Sequence, residues 1–75
     1  MQKRIKIYSA EEIKNFTNAA SRWFDDIKVT DSFGAIANAK SILGMLRLDY
    51  SKPVNLSCDN PSAIDDLCNT LKTRS

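Results

Sequence analysis

The sequence predicts an α/β fold of the α+β kind, an open-faced sandwich in the order β-α-β-β-α-β-α. Three observations predict it. Segments 3–8 and 54–58 alternate apolar and polar residues with the period of a strand. Segments near 10–23, 39–47 and 61–73 repeat apolar residues at helical spacing. Each helix has one apolar stripe and each strand one apolar face. The simplest packing is a four-stranded antiparallel sheet with three helices on one face. With 75 residues, the chain is a single domain, 1–75, whose small core must use every apolar face.

The elements follow in order. Ile5 and Ile7 point one way, and Arg4, Lys6 and Tyr8 the other, which is a half-buried strand. Ser9 with Glu12 three positions later forms a capping box, so a helix starts near residue 10. Ile13, Phe16, Ala20 and then Trp23 or Phe24 form its stripe. Asp25-Asp26 breaks that pattern. Ile27 and Val29 alternate with Lys28 and Thr30 in a second strand. Asp31-Ser32-Phe33-Gly34 is a turn cluster, and Ala35, Ile36 and Ala37 make a weak third strand.

The second helix lies within 38–53. Asn38 and Ser41 are residue types that tie up free N–H groups at a helix start. At about 100° per residue, Ile42, Met45 and Leu46 face the core, with Leu43 and Leu48 to either side and partly exposed. Gly44 admits a close neighbour, and Pro53 stops the helix. Val54, Leu56 and Cys58 alternate in the fourth strand. Asn60 caps and Pro61 opens the last helix. Ile64, Leu67, Cys68 and Leu71 form its stripe, and Lys72 and Arg74 suit its C-terminal dipole. The expected core is Ile5, Ile7, Ile13, Phe16, Ala20, Ile27, Val29, Ile42, Met45, Leu56, Ile64, Leu67 and Leu71.

Composition excludes several functions. Eleven Lys and Arg against nine Asp and Glu is too even a balance to argue for nucleic acid. The cluster Lys3, Arg4 and Lys6 reads as a solvated strand face. No apolar run suits a membrane span or a signal peptide, so the cytoplasm is the expected location. Cys58 and Cys68 lack metal-site spacing, and there is no histidine, so no zinc and no cofactor are expected. Both cysteines fall on apolar phases and read as buried thiols, although a disulfide between them would also fit. No set of nucleophile, base and orienting group is present, so an enzyme is not expected.

The stretch Asn38-Ala39-Lys40-Ser41-Ile42-Leu43-Gly44 resembles the NAKSIMG segment of HPr, the histidine-containing phosphocarrier family of the sugar phosphotransferase system. The likeness is strongest over 38–48 and looser from about residue 19 to the end. The element order derived above is also that of the HPr fold. The resemblance implies a histidine in a G-L-H-A-R-P segment that takes a phosphoryl group from Enzyme I. This chain departs from it there. Counted back without gaps from Ala20-Ser21, the histidine position falls on Ser9 and the arginine position on Glu11. A carboxylate there would repel a phosphoryl group.

The resemblance also matches Ser41 to the serine that a dedicated ATP-dependent HPr kinase/phosphorylase modifies in many HPr proteins. The modified protein binds a catabolite-control transcription factor. Some HPr-like proteins lack the histidine, keep this serine and act only in regulation. Leu43 and Leu46 match the apolar patch that docks partners, with Lys40 and Arg47 flanking it. The expected function is therefore that of an HPr-like regulatory or interaction protein, catalysing nothing, with Ser41 as a regulatory phosphorylation site. The alternative is a small α/β module that binds protein or RNA through its sheet and has no phosphotransfer role. Asp31-Ser32-Phe33 also resembles the phosphopantetheine site of acyl carrier proteins, but the strands and the net charge of +2 oppose an all-helical acidic domain.

Overall fold

The computed structural model of the chain describes residues 1–72. Its elements are β1 (Gln2–Ile5), α1 (Ala10–Ala20), β2 (Lys28–Thr30), β3 (Ile36–Asn38), α2 (Ile42–Leu46), β4 (Val54–Ser57) and α3 (Pro61–Lys72). The order is the expected β-α-β-β-α-β-α. The strands form one sheet ordered β1-β4-β2-β3, antiparallel throughout. Val29 pairs with both Leu56 and Ala37, and Ile5 pairs with Val54. Their buried side chains form the sheet's half of the core, and Phe16, Met45 and Leu67 contribute from the helices.

Several boundaries differ from the sequence expectation, each for a local reason. The first strand was expected over 3–8, yet its ladder ends at Ile5. Its partner begins at Val54, after Pro53, which has no N–H to extend the pairing. Ile7 is buried all the same. Helix α1 stops at Ala20 rather than 23. The Ser21 hydroxyl donates back to the Thr17 carbonyl at 2.9 Å, and the Arg22 and Trp23 N–H groups bond three residues back, to Ala19 and Ala20. That tighter winding ends the helix. Ile27 lies outside β2, but its carbonyl accepts from Ala39 N–H at 2.9 Å. The third strand sits one residue later than expected. At α3 the start is as read, with Asn60 Oδ1 accepting from Ser62 N–H at 3.0 Å. The side chains of Lys72 and Arg74, expected at its positive end, lie outside what the structure describes.

Of the expected core, Ile42 is exposed and Leu71 only partly buried; the others are buried. Leu48, expected to be partly exposed, is buried. Small residues complete the core. Ala19 and Ala63 are buried on α1 and α3, and Ala37 and Ala39 at the β3 end of the sheet near α2. Cys58 is buried, Cys68 is half-buried, and both are free thiols. No helix among the described residues is long and apolar enough to cross a membrane.

Phe16 is fully buried and is the largest side chain in the core. Phe16→Ala should cost about 3–5 kcal/mol, against a net stability of about 3–5 kcal/mol for a domain of this size. Urea unfolding followed by circular dichroism should find the variant largely unfolded without denaturant. An unchanged midpoint would show that Phe16 does not organise this core.

Candidate functional site

The residues singled out by sequence gather around α2. Ala39 is drawn into the end of the sheet by its bond to Ile27, so the helix cannot begin at 39. Asn38 Oδ1 accepts from Lys40 N–H at 2.9 Å and turns the chain. Ser41 follows in an extended conformation (φ −106°, ψ 109°) and is the N-cap, its Oγ accepting from Gly44 N–H at 3.2 Å. Arg47 is the C-cap. A Cβ on Gly44 would lie 3.3 Å from Ser41 Oγ and 3.6 Å from Ala37 Cβ. The contact with β3 is an ordinary one; what glycine spares is crowding of the Ser41 hydroxyl that caps the helix.

So short a helix has one inward direction. Met45 takes it and is wholly buried. Ile42 and Leu46 were expected beside it in the core, but they are 39% and 50% exposed. Leu43 is 72% exposed. Leu43, Leu46 and Arg47 stand at i, i+3 and i+4 and share a face. Ser41 is exposed at the start of this surface, and Lys40 is half-buried beside it. The structure therefore brings together Lys40, Ser41, Leu43, Leu46 and Arg47.

What holds α2 in place was not foreseen. Asp31, at the end of β2, accepts from Phe33 and Ala35 N–H through Oδ1, at 2.9 and 3.0 Å. Its Oδ2 accepts from Asp49 N–H at 3.0 Å. One carboxylate thus closes the β2–β3 turn, where Gly34 supplies φ 86°, and ties it to the loop after α2. From the other side, Lys6 Nζ donates to the carbonyls of Tyr50 and Ser51 at 3.1 and 2.9 Å. Tyr50 Oη donates to the Met45 carbonyl at the end of α2. The turn signal of 31–34 was legible; the reach to Asp49 was not.

These bonds set two acidities. The Asp49 N–H does most to lower the Asp31 carboxyl below its ordinary 3.8, with Ala35, Phe33 and Gly34 adding to it and burial opposing. The Tyr50 hydroxyl is pushed up to about 12 by burial and then by the Asp31 charge.

At the N-terminus of α1 two N–H groups are taken by its own side chains. Ser9 Oγ accepts from Glu12 N–H at 3.2 Å, and Glu12 Oε1 accepts from Tyr8 N–H at 2.6 Å. The capping box is present, displaced by one residue on the Glu12 side. Beside it an open cleft of about 330 Å³ is lined by Lys6, Ile7, Tyr8, Ser9, Ile13 and Tyr50. Glu11, at the counted arginine position, is exposed.

A four-stranded antiparallel sheet in the order β1-β4-β2-β3, with three helices on one face, is an HPr-like fold. Solved structures share it, among them the following two. HPr-C-His from Thermoanaerobacter tengcongensis superposes with a TM-score of 0.83 at 26% identity, over 97% of this chain and 92% of that one. The phosphocarrier protein HPr from Bacillus anthracis str. Ames gives a TM-score of 0.77 at 22% identity, over 93% and 94%. No family model and no curated protein matches the chain.

The other readings lose support. An acyl carrier domain is all-helical, and Ser32 here sits in a turn between strands. For RNA, the four strands carry no aromatic residue on which a base would stack.

Asp31 makes a pH prediction. Its folded pKa lies below its unfolded one, so its contribution is present above about pH 3.8 and fades as pH falls through the folded value. The thermal midpoint of the wild type should fall more steeply below that pH than that of Asp31→Asn, which should start lower at neutral pH. Parallel curves in a pH series of thermal melts would contradict this.

Proposed function

We propose that this protein is an HPr-like regulatory or interaction protein, related to the phosphoenolpyruvate-dependent sugar phosphotransferase system, and not a histidine phosphocarrier. One observation carries the reading. An exposed Ser41 hydroxyl stands at the edge of an exposed apolar surface, Leu43 and Leu46, flanked by Lys40 and Arg47. A surface of this composition suits a protein partner. The likeness to HPr-C-His supports it, since the shared fold extends over 97% of this chain.

The proposed mechanism is a change of charge. Phosphorylation of Ser41 adds about −1.5 to −2 charge at pH 7. Lys40 and Arg47 supply positive charge beside the leucines. One phosphate would then convert a basic-rimmed apolar surface into a mixed one and change which partner it fits. The proposed partners are an HPr kinase/phosphorylase, which writes the mark, and a catabolite-control transcription factor, which reads it. The setting is cytoplasmic, and the protein catalyses nothing itself. Two observations support the absence of phosphocarrier activity. The chain contains no histidine, and the Ser9–Glu12 pair occupies the start of α1.

Two experiments test this. With HPr kinase and ATP, the wild type and Ser41→Thr should take up phosphate and Ser41→Ala should not. The modified protein should change its partner affinity while its thermal midpoint stays nearly constant. Equal incorporation in wild type and Ser41→Ala, or none in any, would reduce Ser41 to a helix cap. In the second experiment, incubation with Enzyme I and labelled phosphoenolpyruvate should leave the protein unlabelled. Stable label on any residue would mean that the start of α1 is a working phosphoryl acceptor.

A further inference from the structure

Phe24 is fully exposed, at 103%, yet both its neighbours are pinned. Trp23 is packed against the core, and its Nε1 donates to Asp66 Oδ2 at 2.9 Å. Asp25 Oδ2 accepts from Asn60 Nδ2 at 3.0 Å. The backbone at 24 is therefore held between two anchors on the first half of α3 and its cap, while the ring meets water. Apolar surface held in water gives nothing to folding. A fixed backbone lowers the ordering cost of binding. Asp26 lies two positions after Phe24, and Asp59 precedes the Asn60 anchor; both are exposed. Arg22 is the nearby cation, and it lies 3.9 Å from Asp66.

The other end of α3 has the opposite character. An open cleft of about 240 Å³ is lined by Ile5, Cys68 and Leu71, with Lys3, Arg4 and Lys6 along it. It lies along β1, an edge strand of the sheet. Lys6 is already committed to the Tyr50 and Ser51 carbonyls. Lys3 and Arg4 are exposed and make no ion pair among the described residues. Phe24 is fully exposed in the single molecule, so it does not fill the cleft of its own chain.

We propose that Phe24 of one copy seats in this cleft of a second copy, with Asp26 and Asp59 facing Lys3 and Arg4. The apolar floor accepts the ring, and the basic rim matches the acidic surround. The two surfaces differ, so the contact is heterologous and runs head to tail. It involves one aromatic anchor and a few rim charges, which makes it a weak, salt-sensitive association.

Sedimentation velocity on the full chain tests it, from roughly 10 µM to 1 mM in low salt. The average mass should rise with concentration and fall back in about 0.5 M salt. Phe24→Ser should weaken association by roughly 30-fold or more. The decisive step mixes two variants. Phe24→Ser keeps the cleft and loses the ring; Lys3→Glu combined with Arg4→Glu keeps the ring and loses the rim. Each alone should be monomeric, and an equal mixture should form a one-to-one dimer that grows no further. All these changes are at exposed side chains, and circular dichroism on each variant checks the fold. A wild type that stays monomeric, association undiminished in Phe24→Ser, or variants that fail to pair when mixed would each overturn the proposal.

Discussion

The placement of α2 depends on one carboxylate. Asp31 spends both oxygens on backbone N–H groups, two within its own turn and one across to Asp49. A five-residue helix has too few internal bonds to stand alone. It forms here because its ends are held from outside. Asp31 fixes the loop that follows it, Lys6 grips two carbonyls of that loop, and Tyr50 returns its hydroxyl to the last turn. Each of these groups is polar, and each would be costly to leave unpaired once partly covered. Together they convert a marginal helix into a rigid surface.

That rigidity has a consequence for the side chains. With its backbone fixed from outside, α2 needs only Met45 as an apolar anchor. Ile42, Leu43 and Leu46 are then not required by the core and stay 39%, 72% and 50% exposed. A longer helix would have buried such a cluster along a stripe. The exposed apolar surface on which the regulatory reading rests is therefore a product of helix length as much as of composition.

Most of the fold was legible because period and chain punctuation agreed. Strand alternation around Val29 and Leu56, the helical stripe Ile13–Phe16–Ala20, and the Asn60-Pro61 start all point to the elements found. The candidate surface was half legible. Ser41 and Leu43 stood out as a cap and an off-face leucine, but helical phase alone sent Ile42 and Leu46 inward. Phase assumes a helix long enough to have a stripe, and one turn does not. The Asp31–Asp49 and Lys6–Tyr50 contacts were not legible at all. They join residues distant in sequence, and no local pattern encodes such a pair. Trp23 and Phe24 show the same limit. Either suits the helical stripe, and only the Asp66 acceptor on α3 decides that Trp23 turns in and Phe24 turns out.

The HPr-like fold and the phosphocarrier chemistry are separable on physical grounds. The sheet and helices are held by Phe16, Leu56, Leu67 and their neighbours, none of which lies at the start of α1. Carrying a phosphoryl group needs a nucleophilic side chain and N–H donors left open to the phosphate. In this chain two N–H groups at the start of α1 are already taken. Ser9 takes one N–H, and Glu12 takes the Tyr8 N–H with a carboxylate that would oppose an incoming anion. The cap favours stability, since a capping residue is worth about 0.5–2 kcal/mol, in a domain whose whole margin is about 3–5 kcal/mol. A capped start of α1 leaves the fold and the α2 surface in place. The function proposed here requires that same combination.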